Sequence, residues 1–201
     1  MSAQPMRPPN LGTRLANEPG RRVLVTYESR LGSTAEVAAC IGEALAEDGA
    51  SVDIEPLERV ADLKQYDRVV VGSAIRYDPW LPEAIGFVRA NQQSLRRVPV
   101  AFFFTCLVLA KGTVKAEQKA QAYASRLVRL LPGAERVDIG GFAGVLNTAK
   151  APWPTRWLLR GLSVITGGAE GDYRDWEAIQ DWSRNLFASG SAVPVASARA
   201  R

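Results

Sequence analysis

The chain contains no histidine, and this absence removes several classes of chemistry at once. Of its 201 residues, 25 are Lys or Arg, 21 are Asp or Glu, and none is His. Catalytic triads and Cys–His pairs depend on an imidazole base, and imidazole is also the commonest metal ligand in proteins. The sequence therefore excludes those nucleophilic enzymes and predicts no metal site. Its chemistry must come from carboxylates, hydroxyls, a thiol or a bound cofactor.

Cysteine and long apolar runs are also scarce. Cys40 and Cys106 lie far apart and form no C-x-x-C motif, which is typical of reduced thiols in a cytoplasmic protein. Residues 1–20 lack the apolar segment of a signal peptide, and the uncharged run 98–110 is too short to cross a bilayer. We therefore expect a cytoplasmic protein that at most binds the inner face of the cell membrane.

No dense cationic patch is present, although the net charge is +4. Much of the excess lies in the end segments, which carry Arg7, Arg14, Arg199 and Arg201 against Glu18. Binding to a nucleic-acid backbone needs clustered Lys and Arg, so we expect no nucleic-acid partner. Composition predicts disordered tails over 1–20 and 188–201, on either side of one domain at 21–187.

Apolar strand-like runs alternate with helical patterns along the domain. The predicted strands are 22–27, 52–55, 68–72, 98–105 and 136–140, and the predicted helices are 33–48, 82–91, 114–131 and 173–187. Nearly continuous Val, Ile and Phe is typical of parallel strands buried on both faces. The pattern predicts a three-layer α/β/α domain, in which ligands bind at the carboxyl ends of the strands.

The loop after the first predicted strand is rich in hydroxyl groups. It consists of Ser29, Arg30, Leu31, Gly32, Ser33 and Thr34, and a predicted helix follows. A helix N-terminus offers unpaired N–H groups and a positive dipole end, hydroxyls add donors, and glycine allows close approach of the backbone. These features predict a phosphate site. The alternative is that Ser33 or Thr34 only caps the helix.

Other phosphate-binding loops do not fit this sequence. The chain has neither the G-x-x-x-x-G-K-[ST] loop of many nucleotide hydrolases nor the G-x-G-x-x-G turn of dinucleotide-binding domains at this position. A C-x5-R phosphatase loop also fails, because Gly112 stands where the arginine would follow Cys106. A phosphate site in this loop would therefore belong to another class.

This loop and three further segments resemble the flavodoxin-domain family, especially its menaquinone-dependent protoporphyrinogen IX dehydrogenase branch. The further segments are YDRVVVGSAIRY at 66–77, FTCLV at 104–108, and the pair Gly167 and Gly168 before Asp175 and Trp176. The resemblance covers about residues 22–187. It implies a flavodoxin-like five-stranded parallel sheet of order 2-1-3-4-5, with FMN bound non-covalently and its phosphate in the loop 29–34.

The resemblance also places the isoalloxazine ring between the loops after the third and fourth strands. The residues that it assigns are Ser73, Ala74, Ile75, Arg76, Tyr77, Thr105, Cys106 and Leu107. Arg76 is interpreted either as a partner of reduced flavin or of a substrate carboxylate, or as a solvated surface residue. Trp80 either stacks on flavin or packs under the next helix. We interpret Cys106 as a buried, inert thiol.

The connection 144–172 is long, and its middle is apolar and basic. Pro154 and the pair Gly167 and Gly168 bound a predicted helix within 153–166, and relatives in the same branch carry an insertion here. The helix is interpreted either as an amphipathic segment that meets a membrane surface and a quinone, or as one packed on the domain or in a homodimer.

Taken with the resemblance, these features predict an FMN-dependent oxidoreductase. The activity implied is oxidation of a porphyrin-type substrate, protoporphyrinogen IX, with electrons passed to a quinone; flavin chemistry needs no imidazole base. The first alternative is an electron-carrier flavodoxin with a protein redox partner, although such carriers usually present a strongly acidic face that this chain lacks. The second is a cofactor-free flavodoxin-fold binding module.

Overall fold

The computed structural model describes residues 21–75, 80–134, 137–146 and 171–187. Its main sheet contains β1 (Arg22–Glu28), β2 (Ser51–Pro56), β3 (Arg68–Ala74), β4 (Val100–Cys106) and β5 (Val137–Ala143). The strand order is β2-β1-β3-β4-β5, and all four pairings are parallel. The predicted sheet and its order are confirmed.

Five α-helices are described, and local signals account for where they begin. They are α1 (Ser33–Glu47), α2 (Pro82–Ala90), α3 (Gln92–Leu95), α4 (Val114–Val128) and α5 (Trp176–Arg184). Pro82 opens α2, because a residue in the first turn of a helix needs no N–H donor. The side chains of Thr113 and Asp175 accept hydrogen bonds from the first turns of α4 and α5.

The helices cover both faces of the sheet. On one face, α1 and α5 pack through residues such as Ile41 and Trp182. On the other face, α2 and α4 pack through residues such as Val88 and Tyr123. Every residue of β4 is buried, as expected for a central strand between two helical layers. The structure therefore has the predicted three layers.

Several boundaries differ from the predicted ones for identifiable reasons. β4 begins at Val100, two residues later than predicted, because Pro99 has no N–H to donate, although its carbonyl still accepts from the N–H of Val69. The Asp175 cap starts α5 later than predicted. The four-residue α3 and the 3-10 turns Leu57–Arg59 and Leu107–Lys111 were not predicted.

A short antiparallel pair flanks the long connection. Val145–Leu146 (β6) pairs with Gly171–Asp172 (β7), so Leu146 and Gly171 lie opposite each other. The predicted helix within 153–166 and the predicted tails 1–20 and 188–201 lie outside the described residues. Within the part of the chain that is described, no helix is long and apolar enough to cross a membrane.

Candidate functional site

The three loops singled out in the sequence meet at one edge of the sheet. β1, β3 and β4 are adjacent and parallel, with Glu28 opposite Ser73 and Ala74 opposite Thr105. Their carboxyl ends therefore place the loop 29–34, residues 73–75 and residues 105–107 next to one another. This edge of an open α/β sheet is where ligands bind.

The loop 29–34 and the first turn of α1 form what we call the cradle. Gly32 is the N-cap of α1, with a φ of 92°, and a Cβ built on it would meet nothing within 4 Å. Its N–H donates to Ser29 Oγ at 3.1 Å, and its carbonyl accepts from the N–H of Glu36 at 3.1 Å. The N–H groups of Ser33 and Thr34 precede the first intrahelical bond, so the helix itself does not use them. The cradle suits an anion.

Thr34 is tied to the neighbouring loop instead of capping the helix. Its hydroxyl oxygen lies 2.8 Å from that of Thr105 at the end of β4, and both side chains are buried. Because Gly32 is the N-cap, the alternative that Ser33 or Thr34 is the cap is wrong. Only one hydroxyl hydrogen is used between the two oxygens, so the other remains available to an acceptor.

Two carboxylates hold the arginine of the cradle. Arg30 forms an ion pair with Glu83 in α2 and lies 3.9 Å from Glu28 Oε1. Burial raises the pKa of Glu28, repulsion from Glu83 raises it further, and the Arg30 charge partly opposes both. Sequence reasoning missed Glu83, which lies 53 residues from Arg30. The pair links the cradle to the start of α2.

The loop after β3 is fixed at both of its described ends. The Ser73 hydroxyl accepts from the N–H of Leu81 at 3.2 Å, and the N–H of Ile75 donates to the Thr105 carbonyl at 2.9 Å. Ile75 also forms a β-bridge with Trp80. Ser73, Ala74 and Ile75 therefore lie at the predicted edge, whereas Arg76 and Tyr77 lie outside the described residues.

Trp80 belongs to the core. Its side chain is 2% exposed, and its ring packs edge-to-face on Phe102 with the centroids 5.3 Å apart. This agrees with the interpretation that Trp80 packs under the following helix. Its indole N–H has no hydrogen-bond partner among the residues that the structure describes.

The loop after β4 combines a buried thiol with an exposed apolar rim. Burial raises the pKa of Cys106, and nearby backbone N–H groups oppose that shift only in part. The thiol is therefore protonated at neutral pH, as an inert cysteine should be. Leu107 is 41% exposed and Val114, at the start of α4, is 69% exposed. The lysines of this stretch, Lys111 and Lys115, are exposed as well.

Comparison with known proteins agrees with this architecture. The flavodoxin domain model matches residues 24–171. "Protoporphyrinogen IX dehydrogenase [quinone]" of Escherichia coli K12 is 28% identical over 173 residues, covering 82% of this chain and 94% of that protein. The protein of the same name from Leishmania major is 25% identical over 182 residues, covering 86% and 78%.

Among solved structures, a flavodoxin of Streptococcus pneumonia TIGR4 aligns with a TM-score of 0.49 and 15% identity, covering 82% of this chain and 97% of that one. The family match is the decisive comparison, because it begins within β1, includes the other four strands of the main sheet and extends to the start of β7. The chain therefore belongs to the flavodoxin domain family.

Proposed function

We propose that this chain binds FMN, with the phosphate in the cradle and the isoalloxazine ring between the loops after β3 and β4. The observation that carries the proposal is Gly32, whose left-handed backbone leaves open space beside the first turn of α1. A phosphate dianion gains from the unpaired N–H groups and positive dipole end of a helix N-terminus. Membership of the flavodoxin domain family supports the same cofactor.

The residues present fit such a ligand. The backbone of the cradle and the hydroxyls of Ser29 and Ser33 would hold the phosphate, and residues 73–77 and 105–107 would contact the ring. FMN, when bound, supplies the capacity to accept and release electrons. The chain's own part is to bind and orient the cofactor; the Thr34–Thr105 contact fixes the cradle against the end of β4.

We further propose that the protein oxidises protoporphyrinogen IX and passes the electrons to a quinone. Two relatives that cover most of the chain carry that name. The exposed rim after β4 supports an apolar, anionic substrate: Leu107 and Val114 are exposed and apolar, and residues 107–116 contain two lysines and no acid. It remains a prediction that residues 153–166 contact a membrane, and it remains a prediction that the protein forms a homodimer.

The test has two stages. First, FMN is added to the purified protein and binding is followed by quenching of flavin fluorescence; failure to bind at micromolar concentrations overturns the proposed cofactor. Second, the FMN-loaded protein is mixed with protoporphyrinogen IX and a quinone, and porphyrin fluorescence is recorded. Turnover supports the enzyme. Bound FMN without turnover, with electrons passed instead to a protein acceptor, would indicate an electron carrier.

A further inference from the structure

Arg174 is a buried cation that joins the end of the long connection, just after β7, to the cradle. Its side chain is only 6% exposed. Its Nε and Nη2 atoms donate to the two carboxylate oxygens of Asp172 in β7, at 2.8 and 2.6 Å. Its Nη1 atom donates to Glu36 Oε2 at 2.6 Å and to the Ser33 carbonyl at 3.4 Å. Ser33 and Glu36 both belong to the first turn of α1.

These contacts satisfy the guanidinium on most sides. The paired bonds to Asp172 have the parallel geometry that makes arginine–carboxylate contacts strong, and the guanidinium also lies 4.3 Å from the centre of the Trp176 ring. Hydrogen bonding to Arg174 lowers the pKa of Asp172, and the same bond raises the pKa of Arg174. Asp172 and Arg174 therefore form an ion pair at neutral pH, and Glu36 is the second carboxylate on the same guanidinium.

Glu36 matters because of where it stands. It lies in the same turn of α1 whose N–H groups would meet the phosphate, and a carboxylate there competes for the positive end of the helix dipole. In this structure the carboxylate forms an ion pair with Arg174 at 2.6 Å. Without Arg174, both Glu36 and Asp172 would present uncompensated charge beside the cradle.

We propose that Arg174 is a positioning residue that makes the cradle selective for the phosphorylated flavin. It does so by neutralising Glu36 and by fixing the Ser33 carbonyl, so that a dianion is accepted at the start of α1. This inference rests on the proposed FMN site. It concerns FMN over riboflavin, which has the same ring system and no phosphate.

A purely structural role for Arg174 would have a different signature. Loss of packing would weaken the binding of FMN and riboflavin together. If charge compensation is lost, only the binding of FMN is weakened. Removing the carboxylate of Glu36, which Arg174 neutralises, should then restore FMN binding. The ratio of the two dissociation constants therefore separates the two roles, whatever happens to the melting temperature.

The test measures Kd for FMN and riboflavin in the full chain by fluorescence quenching, with the variants Arg174→Gln, Glu36→Gln, the double variant and Arg184→Gln. Arg184 is the control, since it is exposed in α5 and pairs with Glu47 and Asp181. We expect Arg174→Gln to raise the Kd for FMN by about tenfold or more, as one lost charge compensation would, with that for riboflavin unchanged. The double variant should recover most of this loss, and Arg184→Gln should match wild type.

Equal losses for FMN and riboflavin in Arg174→Gln, or no rescue in the double variant, would overturn the inference while leaving the FMN proposal intact. A wild-type chain that binds neither flavin would overturn both. If Arg174→Gln does not fold, the single variant Glu36→Gln tests the inference instead. This variant should fold, because Glu36 is half exposed and Arg174 keeps Asp172 as its partner. It should bind FMN more tightly than wild type, with riboflavin unaffected; unchanged FMN binding counts against the charge argument.

Discussion

The hydroxyl oxygens of Thr34 and Thr105 lie 2.8 Å apart and join the first turn of α1 to the carboxyl end of β4. Both side chains are almost fully buried. Replacing Thr34 with the similarly shaped Val leaves the Thr105 hydroxyl without this partner, which should lower the free energy of unfolding by about 1–3 kcal/mol. Urea denaturation of the single variants and of the Thr34→Val/Thr105→Val double variant measures the coupling. Strictly additive losses would show that the pair contributes no direct interaction.

Gly32 and Gly49 stand just outside the two ends of α1 and form a matched pair. Their φ angles are 92° and 90°, and a Cβ on either would meet nothing within 4 Å. Substitution by Ala at either position therefore strains the backbone without a clash and should cost about 1–2 kcal/mol of stability. Only at Gly32 does the new methyl group enter the proposed phosphate site. We expect Gly32→Ala to weaken FMN binding by about tenfold or more, and Gly49→Ala to leave it unchanged.

Flavin titrations together with thermal melts check this comparison. Equal losses of stability establish that the two substitutions are matched, so that any difference in FMN affinity reports on the site. FMN binding as tight in Gly32→Ala as in Gly49→Ala would place the phosphate away from the cradle and remove the main support for the proposed cofactor.

The sheet was predictable because its signals are local. Runs of β-branched and aromatic residues mark the buried strands, and Pro82 marks the start of α2. The apolar pattern predicts a last strand over 136–140, whereas β5 extends over Val137–Ala143. In the structure, Gly140 and Gly141 lie within the strand, and the rings of Trp182 and Phe104 occupy the space that a Cβ would need. Tertiary packing, which the local pattern does not contain, explains these glycines.

The candidate site was predictable only in part, for the same reason. The hydroxyls and glycine of the loop 29–34 are visible in sequence, and so is their place after a strand. The pairings that organise the site join residues far apart: Arg30 with Glu83, Thr34 with Thr105, and Glu36 with Arg174. A single sequence carries no signal for such contacts, which arise when the parallel crossovers bring separate loops to one edge of the sheet.

The buried state of both cysteines predicts low reactivity. Cys40 is 8% exposed and Cys106 is 5% exposed, and burial raises the pKa of each thiol. Because the thiolate is the reactive form, neither should react rapidly with Ellman's reagent in the native protein near neutral pH, and both should react after unfolding in urea. Rapid labelling of Cys106 in the native protein would contradict the structure at the end of β4.

Glu28 is expected to oppose both folding and anion binding at neutral pH. Its pKa lies above the ordinary value of 4.5, first because of burial and then because of Glu83, so the fold disfavours its ionised form. As the pH rises through 4.5, the unfolded chain loses this proton before the folded chain does, and the free energy of unfolding decreases. Glu28→Gln removes that effect. The variant should therefore be more stable than wild type at neutral pH, and the difference should vanish as the pH falls below 4.5.

The same substitution should strengthen FMN binding at neutral pH, because it removes a carboxylate from the strand end that leads into the cradle. The substitution also removes the ion pair between Glu28 and Arg30. This pair is 3.9 Å long and Arg30 is half-exposed, and such pairs contribute little to stability. Glu43→Gln is the control, since Glu43 is exposed in the middle of α1. Melting curves between mildly acidic and neutral pH, with and without FMN, test both effects. If Glu28→Gln is less stable than wild type at neutral pH, the Arg30 contact outweighs burial and repulsion, and Glu28 instead supports the cradle.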